Sequence, residues 1–166
     1  MITYKEALNI IEKSLTSLEI KDIAVHQAFG INSETVVSES LVPPFSNSAM
    51  DGIAIKSKET KEITKKNPKR FEIINTIYAG DGVITSNEND VCFEIMTGAL
   101  MPKNFDAVIP IEQVEIIKEN NKDFLLLEAP IKKGRNVRQA GEDFLPGDII
   151  LKKGKSINPY NLMSLL

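Results

Sequence analysis

What most limits the fold of this chain is a succession of short apolar runs, each closed by turn-forming residues. Phe71-Glu72-Ile73-Ile74-Asn75-Thr76-Ile77-Tyr78 leads into Gly80-Asp81-Gly82, and Ala107-Val108-Ile109 and Val114-Glu115-Ile116-Ile117 follow. Asn120-Asn121 separates the last of these from Phe124-Leu125-Leu126-Leu127, the pattern of a β-hairpin. Ile53-Ala54-Ile55 after Asp51-Gly52, and Ile149-Ile150-Leu151 after Gly147-Asp148, read as further strands. Short strands punctuated in this way predict a small barrel or sandwich in the middle of the chain.

The flanks differ from the middle. Thr3 and Glu6 have the spacing of a capping box, and Tyr4, Ala7, Leu8, Ile11, Leu15 and Leu18 recur at three- and four-residue steps. The spacing predicts an amphipathic helix over 4–17 that buries its stripe in its own core. Residues 20–40 predict an extended piece, a helical turn closed by Gly30, and a strand through Thr35-Val36-Val37. Pro43-Pro44 ends regular structure. Residues 56–70 hold six lysines and Arg70 among Glu59 and Glu62, which predicts a solvated loop. Asn158-Pro159 is a helix start, yet the chain stops soon after on Leu162-Met163-Ser164-Leu165-Leu166, so a fragment of something longer is expected.

Composition narrows the chemistry. With 166 residues, 42% hydrophobic, 26% charged and a net charge of −3, the chain is neither a strongly basic nucleic-acid binder nor a disordered tail. Its length allows one domain or two small ones. Cys92 is the only cysteine and His26 the only histidine, which excludes an internal disulfide and a Cys/His zinc site. Cys92 reads as a buried apolar thiol and His26 as a surface or helix-start residue. No run matches a membrane span or a signal peptide, so a cytoplasmic protein is the expectation. Arginine occurs only at 70, 135 and 138.

Three segments carry residues suited to chemistry. Pro43-Pro44-Phe45-Ser46-Asn47-Ser48-Ala49-Met50-Asp51-Gly52 describes a rigid loop from which Asp51 projects, or a structural turn with Asp51 bound to local N–H groups. Met96-Thr97-Gly98-Ala99-Leu100-Met101-Pro102 offers a hydroxyl and backbone N–H groups to an anion, or simply turns. Gly134-Arg135-Asn136-Val137-Arg138-Gln139-Ala140-Gly141-Glu142-Asp143 sets guanidinium beside carboxylate, either for a nucleotide-like substrate with metal or as an exposed ion cluster. There is no Gly-x-x-x-x-Gly-Lys and no Gly-x-Gly-x-x-Gly.

In this order the three segments resemble the N-terminal region of the molybdopterin molybdenumtransferases, the MoeA and gephyrin E-domain family. The family signature is similar to Pro-Pro-Phe-Asp-Asn-Ser-Ala-Met-Asp-Gly-Tyr-Ala, followed by Thr-Gly-Ala and Arg-x-x-Gly-Glu-Asp. Ten of its first twelve positions match Pro43 to Ala54; Ser46 stands where the family has Asp, and Ile53 where it has Tyr. Thr97-Gly98-Ala99 and Arg138-Gln139-Ala140-Gly141-Glu142-Asp143 match the others.

The resemblance implies an enzyme that inserts molybdate into adenylylated molybdopterin and releases AMP, with Mg2+ or another divalent cation. It implies Asp51, Asp143 and Thr97 as catalytic residues, Arg138, Arg135, Ser48 and Glu142 as substrate contacts, and Asp51 and Asp143 as metal ligands. It implies an α+β fold: a discontinuous, helix-containing, dimer-forming first domain, 1–45 plus 144–166, and an inserted barrel-like β domain, 46–143. The family continues into an adenylyltransferase-like domain and a C-terminal β domain, and its cleft lies between two subunits, so this chain alone is expected to be inactive. A homodimer and a functional partnership with molybdopterin adenylyltransferase follow; nucleic acid and membrane do not. A scaffold or oligomerisation module of the same family is the alternative, and an unrelated β-rich binding module the third reading.

Overall fold

The computed structural model describes residues 2–16 and 19–165. The chain divides into two compact units, Met1–Val37 with Ile149–Leu166, and Ser38–Asp148.

In the first unit, helix α1 (Tyr4–Ser14) opens on the expected box: the Thr3 hydroxyl accepts from the Glu6 N–H, and the Glu6 carboxylate accepts from the Thr3 N–H at 2.7 Å. The helix is shorter than the 4–17 expected. Ser14 turns its hydroxyl back onto the Ile10 carbonyl at 2.7 Å, and Leu15 leaves with extended backbone. Ser17 and the stripe residue Leu18 lie outside the described residues, as does Leu166 at the other end. No residue of α1 is buried, which corrects the expectation that the stripe packs in its own core: Tyr4, Leu8, Ile11 and Leu15 stay exposed. The rest of the unit is two short ladders. β1 (Gly30–Ile31) pairs antiparallel with β12 (Ser156–Ile157), and β2 (Val36–Val37) with β11 (Ile149–Leu151). A helical turn at Val25–Gln27 carries the exposed His26. Helix α2 (Pro159–Leu162) starts at Asn158, whose side chain accepts from the Tyr160 and Asn161 N–H groups. The first unit thus mixes helix with short ladders, and among the described residues the structure is mostly β with two α-helices.

The second unit is built on a six-stranded sheet in the order β7-β4-β6-β5-β9-β8. Its strands are β4 (Gly52–Ile55), β5 (Lys69–Ile77), β6 (Val91–Ile95), β7 (Ala107–Pro110), β8 (Glu115–Glu119) and β9 (Lys122–Leu127). All neighbours are antiparallel except β5 and β6. Among the described residues no ladder joins β7 to β8, so the sheet is open and not the barrel expected. Period-two alternation splits its side chains between two cores. Ile53, Ile55, Phe71, Cys92, Ile109 and Leu125 fill one; Ala54, Ile77, Val91, Phe93, Ile95 and Val108 fill the other. With both faces covered, β4 is buried at every position. Burial pushes the Cys92 thiol up to about 12.

Residues 56–70 are not the solvated loop expected. Lys56 is 3% exposed, its ammonium 3.5 Å from a Glu59 carboxylate oxygen, donating to the Glu88 carbonyl and lying 4.9 Å from the Phe105 ring centroid. Thr60 is fully buried, donating to Ser57 O and accepting from the Ile131 N–H, and Ile63 joins the first core. Only Lys58, Lys61, Lys65 and Lys66 are freely solvated.

Candidate functional site

The three motif segments meet on one short strand. β3 (Asn47–Ser48) pairs antiparallel with β10 (Val137–Arg138), setting Val137 opposite Ser48 and Arg138 opposite Asn47. Its other edge holds the Thr97 segment: Ser48 N–H donates to Ala99 O at 3.0 Å, Gly98 N–H to Ser48 O at 2.8 Å, and Met101 N–H to Ser46 O at 3.0 Å. The first segment is thus stitched between the other two by main-chain bonds, one on each edge of β3.

Asp51 follows directly. One of its carboxylate oxygens accepts from both the Thr97 N–H and the Thr97 hydroxyl, each at 2.6 Å. The hydroxyl first and the N–H second hold this exposed carboxyl below its usual range, so it is an anion at neutral pH. Its backbone carbonyl accepts from the Ile111 N–H at 3.0 Å. The next residue must be glycine, because a Cβ on Gly52 would stand 2.0 Å from the Ile109 carbonyl oxygen.

The third segment is a braced turn. Arg138 and Asp143 form an ion pair at 2.5 Å, both partly exposed. The Glu142 carboxylate accepts from the Gln139 N–H at 2.8 Å, and the Glu142 N–H donates to Gln139 O at 3.1 Å. Gly141, at φ +73°, donates to Pro43 O, and Asp143 donates to Val42 O. Ser46 accepts from the Ala140 N–H at 3.2 Å, so the residue that departs from the family's Asp still ties the first segment to the third. Ile53, the other departure, is fully buried opposite Ile109.

Asp51 and Thr97 are therefore in direct contact, as are Arg138 and Asp143. Ser48 is 1% exposed, its hydroxyl donating to Met50 O, and Glu142 is engaged with its own turn. Arg135 stands apart from the Arg138 pair; its guanidinium donates to the Gln113 side-chain oxygen. Gln113 went unremarked in the sequence, since an isolated glutamine after a strand carries no motif. Among the described residues no three His, Cys, Asp or Glu side chains converge on one point. An open hollow of about 880 Å3 lies between β5 and the β8–β9 hairpin, lined by residues such as Glu72, Thr76 and Lys122 and by none of the motif residues.

The family model described as MoeA N-terminal region (domain I and II) matches residues 2–166. The chain belongs to this family. Against the molybdopterin molybdenumtransferase of Bacillus subtilis strain 168 this MoeA N-terminal region is 36% identical over 107 residues, 63% of its own length and 24% of the relative's. Against that of Staphylococcus aureus strain Mu50 it is 32% identical over 141 residues, 82% of its length and 32% of the relative's. The crystal structure of the molybdopterin biosynthesis MoeA protein from Pyrococcus horikoshii OT3 superposes with a TM-score of 0.83 at 28% identity, over 99% of this chain and 43% of that one. The MoeA region here thus spans a quarter to a third of the curated relatives it matches. Among its described residues no helix is long and apolar enough to cross a membrane.

Proposed function

We propose that this chain is the N-terminal part of a molybdenum cofactor biosynthesis enzyme that inserts molybdate into adenylylated molybdopterin with release of AMP. The reading is carried by the convergence of Asp51–Thr97 and Arg138–Asp143 on the flanks of β3. Under this reading the inserted domain, 46–143, lies within the unit Ser38–Asp148 and forms one wall of the cleft.

The chemistry asked of that wall suits its residues. Thr97 holds Asp51 as a fixed anion beside the substrate, able to orient a water or contribute oxygen to a divalent cation. Asp143 supplies the second hard oxygen donor, and Arg138, Arg135 and the Gly98 loop face the anionic parts of substrate. Mg2+ or a similar cation would be held by Asp51 and Asp143 together with substrate phosphate, where it would neutralise charge developing at the adenylate. Ser48 and Glu142 support substrate binding by fixing the loops on either side of β3.

The remaining walls belong to later domains and to a second subunit, so the isolated 166-residue chain does not turn over. The uncovered stripe of α1 supports a homodimer, and the adenylylated substrate supports a partnership with a molybdopterin adenylyltransferase, in the cytoplasm. A chimera tests the proposal: this chain replaces the matching N-terminal segment of the B. subtilis relative in cells lacking that protein. Molybdenum-dependent enzyme activity should return, and Asp51→Ala within the chimera should abolish it. A soluble, folded chimera that restores nothing, or one indifferent to Asp51→Ala, overturns the reading.

A further inference from the structure

The three arginines of the chain are not equivalent. Arg70 pairs with the Glu119 carboxylate at 2.9 Å, and Arg138 with Asp143 at 2.5 Å. The partner of Arg135 is an uncharged amide, the side-chain oxygen of Gln113. An amide orients a guanidinium through hydrogen bonding but leaves its full positive charge uncompensated, whereas a carboxylate cancels that charge before any ligand arrives. The scaffold beneath is well fixed. Val108 N–H donates to Arg135 O at 2.8 Å, and the Asn136 side chain donates to Val108 O at 3.0 Å. Three residues past Val108, Ile111 N–H donates to the Asp51 backbone carbonyl, and the turn Ile111–Gln113 then presents Gln113. One stretch of chain, Val108 to Gln113, thus holds Arg135 from both its ends and the Asp51 backbone carbonyl from between them.

We infer that Arg135 is the anion-receiving cation of this wall, ahead of Arg138, and that Gln113 is its positioning residue. The inference rests on the reading above in one respect, that the wall receives an anionic substrate. The ligand group concerned is a phosphate or a comparable oxyanion, which takes a guanidinium bidentately. Arg138 holds the Asp143 carboxylate in place and contributes little free charge.

The three arginine Nε–H resonances of the 166-residue chain, followed by NMR during titration with inorganic pyrophosphate, test this directly. The Arg135 signal should move first and furthest, with Arg138 and Arg70 lagging. Gln113→Glu supplies a carboxylate in place of the amide and should weaken pyrophosphate binding by about tenfold. Gln113→Ala keeps the charge, loses the orientation, and should fall between that variant and the parent. A purely structural role would make the alanine variant at least as damaging as the glutamate one. A response at Arg138 without one at Arg135, or parent-like binding by Gln113→Glu, overturns the inference alone. Silence from all three arginines overturns the anion reading of the wall and the inference with it.

Discussion

Replacing Gly52 by alanine would set a methyl carbon 2.0 Å from the Ile109 carbonyl oxygen, 2.8 Å from its carbonyl carbon and 3.1 Å from Pro110 Cα. All three are backbone atoms of β7, so no side-chain rotation relieves the overlap. β4 and β7 must part by about 1 Å to recover ordinary contact distances. A ladder hydrogen bond of about 2.9 Å is broken by a displacement of that size. β4 is buried along its whole length, so the separated N–H and C=O groups meet no water. Overpacking costs about 1–3 kcal/mol and an unsatisfied buried backbone pair about 1–3 kcal/mol more, a loss of about 2–6 kcal/mol together. At about 4 °C per kcal/mol for a unit near this size, the thermal midpoint should drop by about 8–24 °C. Gly98→Ala is the control. Its added Cβ meets nothing within 4 Å, and its φ of +79° leaves only left-handed backbone strain, about 1–2 kcal/mol. Circular-dichroism melts of both variants beside the parent measure the contrast. If Gly52→Ala melts no lower than Gly98→Ala, the close approach of β4 to β7 is wrong, and so is the reason given for the glycine after Asp51.

Two further outcomes follow from contacts at and beyond the site. Thr97→Val removes the hydroxyl that does most to lower the Asp51 pKa, so the carboxyl should titrate at higher pH than in the parent. Because a lowered carboxyl favours folding above its unfolded pKa and loses that contribution as pH falls through the folded one, the variant should lack part of a small contribution that the parent keeps at neutral pH and gives up in acid; carboxyl-carbon NMR titration reads the shift, and an unmoved Asp51 contradicts it. Lys56→Met leaves Glu59 buried without its counter-charge, a loss of about 3–5 kcal/mol in urea unfolding. Adding Glu59→Gln should restore most of that loss, and equal midpoints for the single and double variants would argue against the buried pair.

Much of the sheet was readable because each strand carried its own signal. The Asn120-Asn121 hairpin is the plainest case: both residues take positive φ, at 50° and 60°, as a tight turn between paired strands requires, and β8 and β9 run in register from it. β6 carries no alternation signal, because Val91-Cys92-Phe93-Glu94-Ile95 is nearly all apolar. It lies between two strands and buries both faces, so it reads as a continuous run and not as an alternation. Composition marks the lysine-rich stretch as wet, whereas the burial of Lys56 depends on Glu59, Glu88 and Phe105, two of them far along the chain. Sheet closure could not be decided from strands that read alike in a barrel or an open sheet. At the site, the motif residues named their neighbourhood, but the pairing of Asp51 with Thr97 and of Arg135 with Gln113 spans 46 and 22 residues. No local pattern encodes such distances.

The stitching of β3 between two other segments also sets what kinds of change this region can absorb. Its bonds on both edges are made by main-chain atoms, which every residue other than proline supplies alike. Side-chain replacements such as Ser46 and Ile53 therefore leave the frame standing. Chain length is another matter: deleting one residue between Ser46 and Gly52 would slip both edges at once and turn each following side chain to the opposite face. Asp51 would then point away from Thr97. This short stretch should accept drift in composition across related chains while keeping a fixed count of residues.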